Sequence, residues 1–191
     1  MYDLAARKTY NRPQALIFSN RKFAYNNATK SYVAPTNIDE ANMDLIVLPD
    51  HGRAPIQTTP NRIESRSRMI NGTSRSYWTA DKISLSTSWD NLPSRLAQDG
   101  MEWVEGAQKP VGPMFLADNG APAILIKAWY ETHPEPFWVY LSYDDGQTVT
   151  GNQLLKRYVE ERRMYFSSFS YTINKRGIYD FVDIDLGLEE V

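Results

Sequence analysis

The chain has 191 residues, no cysteine and two histidines, and its 21 basic and 23 acidic side chains leave a formal charge of -2. Without a thiol there is no disulfide framework and no thiolate nucleophile or ligand, and the near-balanced charge argues against a protein whose main work is phosphate neutralisation. A 42% hydrophobic and 13% aromatic content suffices for one core, so a single domain over 1–191 is expected.

The first ten residues hold no apolar run of signal-peptide length, and no later run approaches the roughly 20 apolar residues of a membrane helix. A soluble product of the cytoplasm without a membrane anchor is expected. Ala15 to Ser19 and Lys22 to Tyr25 read as a hairpin around Asn20-Arg21, with Ser31 to Val33 extending it after Asn26-Asn27. From about 26 to 61 the prolines Pro35, Pro49, Pro55 and Pro60 punctuate one apolar strand, Leu45 to Leu48, and predict a loop-rich excursion.

A long hairpin arm follows at about 62–80. Arg62 to Ile70 leads into Asn71-Gly72, a pair suited to a two-residue type I′ turn with positive φ at both positions, and the returning limb runs from Arg75 to Trp89. Within that limb Ile83, Leu85 and Trp89 alternate with Ser84, Ser86 and Ser88, one face core and one hydroxyl-lined. Beyond Leu92-Pro93, Ile124, Leu125, Ala128 and Trp129 form a helical stripe over Ala121 to His133, capped by Asn119 and ended by Pro134. Phe137, Val139, Leu141 and Tyr143 alternate as a strand before the turn Asp144-Asp145-Gly146, and Leu154 to Glu161 fits either a short helix or an irregular lead.

The chain closes on Met164 to Ile173 and Phe181 to Leu188, facing each other across Asn174-Lys175-Arg176-Gly177. Val182, Ile184, Leu186 and Leu188 alternate with Asp183, Asp185 and Gly187, and Tyr165, Phe169, Tyr171 and Ile173 supply the matching apolar row.

The order of pieces resembles structural tail proteins of tailed bacteriophages, of the tail-tube, distal-tail and minor tail type. The resemblance is carried by Met69-Ile70-Asn71-Gly72, Arg75-Ser76-Tyr77, Ala80-Asp81-Lys82, Trp89 with Leu92-Pro93-Ser94, Trp129-Tyr130-Glu131, Pro136 to Val139, Phe169-Ser170-Tyr171, Lys175-Arg176-Gly177 and Leu188 to Val191. It spans most of the chain from Arg62 onward. It implies a mainly β fold, an antiparallel barrel or sandwich with one flanking helix. It further implies a virion tail component that forms stacked, usually hexameric rings around the path of the DNA, with itself and neighbouring tail proteins as partners, and genomic DNA only in passage. A distal or minor tail adaptor is the alternative within that class, and a carbohydrate-binding β-sandwich the alternative outside it.

Subunit contact is expected of the arm through Arg62, Arg66, Arg68, Asn71, Gly72, Arg75 and Trp78, and of Trp138; a solvated strand face is the plainer account of the arginines. Only Glu64 opposes the arm's arginines, while Asp183, Asp185, Glu189 and Glu190 gather at the C-terminal end, and opposite charges at opposite ends favour head-to-tail association. Asp183 and Asp185 are candidates for a lumen lining, since a wall of like charge lets DNA slide without sticking; an exposed sheet face is the plainer account.

No catalytic residue, cofactor or metal site is expected. Asp144-Asp145 reads as a turn, and Glu160-Glu161 in a strand would point to opposite faces. His51 and His133 lie far apart without a nucleophile or ligand partner. Trp89 and Trp129 fall on core faces, and Asn71-Gly72-Thr73 and Asn27-Ala28-Thr29 match the glycosylation pattern only formally.

Overall fold

Alternating runs of apolar and polar residues become strands where one face can be buried. In the computed structural model, which describes residues 15–28, 31–33, 44–50, 52–94, 101–104, 107–110, 120–143, 158–176 and 179–191, these are β1 (Ala15–Ser19), β2 (Ala24–Asn26), β3 (Ser31–Val33), β4 (Leu45–Val47), β5 (Gln57–Arg68), β6 (Ser74–Pro93), β7 (Met101–Val104), β8 (Ala107–Pro110), β9 (Phe137–Tyr143), β10 (Tyr158–Arg176) and β11 (Tyr179–Glu190). Helix α1 (Ala123–Thr132) lies between β8 and β9 in the sequence. Seven strands form one sheet in the order β4-β1-β9-β10-β11-β6-β5, with β2–β3 and β7–β8 as separate two-stranded pairs. All of the pairings are antiparallel.

The mainly β class with one helix is as expected, but the sheet is open rather than closed into a barrel. Its two borders differ. The three-residue β4 is capped where Ala121 N–H donates to Val47 O at 2.9 Å, whereas β5 has only β6 beside it among the described strands.

One face of the sheet carries the main core. Leu16, Phe18, Ile46, Leu48, Leu85, Trp89, Phe137, Val139, Met164, Val182, Ile184, Leu186 and Leu188 bury together against Ala123, Ile126 and Trp129 of the helix. Each aliphatic side chain of this size stabilises by about 1.5–3 kcal/mol when fully buried. Aromatic packing orients the layer: Phe18 lies 4.9 Å from Phe137, and Tyr130 stacks on Phe169 at 4.4 Å. On the opposite face a smaller cluster of Ile17, Phe23, Leu45, Val47 and Tyr140 is covered by Phe23 and β2–β3. Tyr140 is buried on both counts, its hydroxyl accepting from Phe23 N–H at 2.7 Å, and burial pushes that hydroxyl's pKa up.

Several expectations are corrected by pairing partners. β1 does not fold back on β2; it lies between β4 and β9, and β2 pairs with β3 instead. The apolar strand expected within the excursion at 26–61 does form, as the buried β4, and the excursion's last residues open β5, where Pro60 is tolerated because β5 borders the sheet. The arm's turn is not type I′. Gly72 N–H donates to Met69 O at 2.9 Å, Met69 N–H donates to Thr73 O at 2.8 Å, and only Gly72 takes positive φ, at 81°, the arrangement of a three-residue turn ending in a glycine bulge. The helix buries Ala123, Ile126 and Trp129, while Ile124 from the expected stripe stays 44% exposed. Pro122 stands at its N-cap, and Asn119 lies outside the described residues.

The closing hairpin forms as expected, with a change of parity. An extra residue in β10, between Phe166 and Ser168, flips which side chains face inward. Met164 and Phe166 face the core before it, Phe169 and Tyr171 after it, so Tyr165 points outward and is 37% exposed. Ile173, beyond the reach of the helix, is 55% exposed. Tyr158 to Glu161 joins β10, settling part of the ambiguous lead as strand; residues 154–157, and the turn at Asp144-Asp145-Gly146, lie outside the described residues.

Pro49 joins the two sides of the core's border. Trp89 Nε1 donates to Pro49 O at 2.9 Å, and a Cβ added to Gly120 would stand 2.4 Å from Pro49 Cα. Backbone cannot yield as a flexible side chain can, so Gly120→Ala should destabilise the protein by about 1–3 kcal/mol, as overpacked sites do. Urea unfolding measures this; an unchanged midpoint would show that the approach of Pro49 is looser than described.

Candidate assembly surface

The most exposed structure is the arm. β6 runs 20 residues, and its pairing with β11 stops at Ser84, opposite Glu189, while its pairing with β5 continues to Ser74, opposite Arg68. Beyond Ser84 the two strands therefore form a free ribbon, roughly 30 Å long at about 3.3 Å per residue. Such a ribbon has no third strand to bury its side chains, and a two-stranded hairpin alone is marginal in water.

Cross-strand partners share a face. Arg62 with Asp81, Glu64 with Trp78, Arg66 with Ser76 and Arg68 with Ser74 continue the face that holds Leu85 in the core. Ile63 with Ala80, Ser65 with Tyr77 and Ser67 with Arg75 lie on the other. Trp78 is 63%, Tyr77 56% and Ile63 50% exposed, and Ile70 protrudes fully at the tip. Asn71 is held there by its side-chain oxygen, which accepts from Thr73 N–H at 3.1 Å and Thr73 Oγ1 at 2.6 Å.

The arginines are less free than their count suggests. Arg62 pairs with Asp81 at 3.0 Å, and Arg66 pairs with Glu64, which also accepts from Ser76 Oγ at 2.7 Å. Asp81, unnoticed in the charge pattern, is thus a second acid opposing the arm's arginines. The Ser76 hydroxyl and then Arg66 hold the Glu64 carboxyl below its usual range, and Arg62, followed by Trp78, does the same for Asp81. The C-terminal acids are not at the far end of the molecule either: β11 lies beside β6, so Glu189 and Glu190 stand at the arm's base.

Below the arm, the outer face of β10, β11, β6 and β5 has no covering layer among the described residues. Ser170, Asp185 and Ser88 form one rung, Ser168, Gly187, Ser86 and Gln57 a second, and Tyr165, Glu189, Ser84 and Thr59 a third. These rungs carry hydroxyls, an amide and carboxylates without a lysine or arginine. A shallow groove of about 240 Å³ opens across them between Ala54, Pro55, Gln57 and Asp185.

The two aspartates differ. Asp185 is exposed and accepts from Ser170 Oγ at 2.8 Å. Asp183 is half-buried at a bulge where β6 gains a residue and Asn91 takes φ 54°; its carboxylate accepts from Asn91 N–H at 2.7 Å and from the Asn174 amide. Trp138 is not brought to the arm. It lies on β9, two strands away from β11, half-buried in the smaller cluster with Lys22 Nζ 4.8 Å above its ring.

The described residues among the other candidates have structural partners. Glu161 accepts the ion pair of Lys22 at 2.8 Å, and His133 ends the helix stacked on Trp129 at 3.8 Å. Trp89 and Trp129 are buried in the core as expected. The side-chain surroundings of Trp103, and residues Asp144, Asp145 and His51, lie outside the described residues. The exposed Ile63, Tyr77 and Ile70 were not legible as contact candidates, since single apolar residues in a polar run give no period to detect.

No family model matches the chain, and no curated protein matches it. Among solved structures it is similar to a chain in the tail of an empty GTA particle determined with helical refinement in C6 symmetry, at 10% identity and a TM-score of 0.43, over 88% of this chain and 95% of that one.

Two outcomes are expected from these contacts. Asp183→Ala should cost about 1–3 kcal/mol, because it leaves a half-buried backbone N–H without its acceptor, whereas Asp185→Ala should stay within about 0.5 kcal/mol; denaturation midpoints compare the two. Because the folded-state pKa values of Glu64 and Asp81 are depressed, their contribution to the arm is present above the usual carboxylate range and is lost as pH falls through the folded values, below about pH 4. Carboxyl titration by NMR should place both midpoints under those of free side chains, and Arg62→Ala should raise that of Asp81.

Proposed function

We propose that the chain is a structural component of a phage tail, a building block without catalytic turnover that associates with copies of itself into rings and, by stacking them, into a conduit. The observation that carries the reading is the arm: a ribbon projecting from the sheet with Trp78, Tyr77, Ile63 and Ile70 exposed. Aromatic and aliphatic side chains on an otherwise unsupported hairpin gain most from burial against a neighbour. The uncovered rungs of hydroxyls and carboxylates support the second half of the reading, since a strip without cations does not retain a polyanion moving past it; Arg163 and Lys82 flank that strip beside its third rung. In this reading Asp185 is a lining group, Asp183 is held chiefly by its structural bonds, and DNA is cargo rather than ligand. A place at the tube's end, as a distal or minor adaptor, uses the same arm.

Sedimentation and electron microscopy of the purified protein test this. Rings or stacked rings are expected, and Trp78→Ser combined with Ile70→Ser should weaken association about tenfold or more, the loss of some 1.4 kcal/mol or above that an anchor side chain represents. A protein that remains monomeric at high concentration would overturn the proposal. A glycan-binding module draws on the same exposed Trp78, and a monomer whose tryptophan fluorescence responds to saccharides would establish that reading instead.

A further inference from the structure

The place where the ribbon leaves the sheet is secured by a side chain rather than by a strand. β11 reaches its last pairing with β6 at Glu189 and Ser84, so the next position of β6, Ile83, is not laddered to the backbone of Glu190. Its N–H donates instead to Glu190 Oε2 at 3.0 Å. The other carboxylate oxygen, Oε1, accepts from Arg162 Nη1 of β10 at 3.2 Å. One carboxylate therefore ties β6 to β10 across the end of the strand that separates them. It is partly shielded, with the Glu190 side chain 20% and the Arg162 side chain 38% exposed, so the bond to Ile83 is only partly open to competition from water. β11 is itself held against β10 there, by Val191 N–H on Arg163 O at 3.0 Å.

We infer that Glu190 is a positioning residue that sets the direction in which the arm leaves the sheet, with Ile83 as the hinge it closes. Farther out, the described bonds of the arm join its two limbs to each other: Arg62 to Asp81, and Glu64 to Arg66 and Ser76. These stiffen the ribbon internally and leave its angle to the sheet undetermined. The angle is determined at the base, where a charged acceptor replaces the missing ladder bond and is in turn held by Arg162, and where Lys82 Nζ donates to the Val191 carbonyl beside it. This inference is independent of the tail reading, because it concerns the isolated chain.

The test uses the absence of cysteine from the chain. Spin labels at Ile70→Cys and Thr172→Cys report the distance between arm tip and sheet in the dilute monomer, and hydrogen exchange at the Ile83 amide reports the bond itself. Glu190→Ala is expected to broaden the distance distribution and to speed Ile83 exchange at least tenfold, with amides of the core strands unchanged. Glu190→Gln keeps an acceptor for Ile83 but loses the charge that Arg162 holds, and is expected to give an intermediate exchange rate. A folded Glu190→Ala variant with parental distance distribution and Ile83 exchange would overturn the inference; should that variant fail to fold, parental values for both in Glu190→Gln would do so.

Discussion

The long strand β6 is shared by two structures with opposite solvent demands, and most of the molecule follows from that. Its C-terminal half lies between β11 and β5 and places Leu85, Trp89 and Leu92 in the main core. Its N-terminal half has only β5 for company and is exposed almost throughout. The arm is thus a continuation of the core lattice rather than a loop attached to it. Hydrogen-bonded pairing carries the order of the core outward until β11 ends, and beyond that point the ribbon relies on its own cross-strand contacts.

The sheet faces are divided in a similar way. The inner face is covered by the helix, and among the described residues the outer face is covered only over β4, β1 and β9, by Phe23 and the β2–β3 pair. The described remainder of the outer face presents chiefly small polar groups and carboxylates, with Arg163 and Lys82 at its edge near the arm. Three irregularities adjust these faces: the extra residues in β10 near Ser168, in β6 near Asn91, and in β6 between Trp78 and Ala80. Each shifts the alternation by one, which a strict period of two would not allow. Gly187 stands beside the first of them because a Cβ there would meet Ser168 Oγ at 2.4 Å.

Charge plays a different part from the one its distribution along the chain suggests. Two of the arm's arginines are occupied by acids of the same arm, and the C-terminal Glu190 is occupied at the arm's base. Exposed ion pairs of this kind contribute little to stability each, but they lower the net positive field of the arm. In the proposed assembly, association through the arm then depends more on Trp78, Tyr77, Ile63 and Ile70 than on opposite charges at opposite ends.

Local pattern alone determined the strands with strong alternation. The C-terminal hairpin, β9, the core half of β6 and the existence of the arm were all legible, because turn residues and a period of two are properties of short segments. The arm's tip was legible as a glycine turn but not as a bulge, and its arginines were visible while their partners were not. Pairing between distant segments was decided only by tertiary structure: β1 lies against β4 and β9 rather than β2, the sheet stays open, and Trp138 is kept away from the arm. Tyr165 and Ile124 point outward for the same reason, since a one-residue bulge or a rotation of the helix costs little locally and is selected by how the whole core closes. Glu190 at the base of the arm belongs to this second group, as its role exists only where β11 ends beside β6.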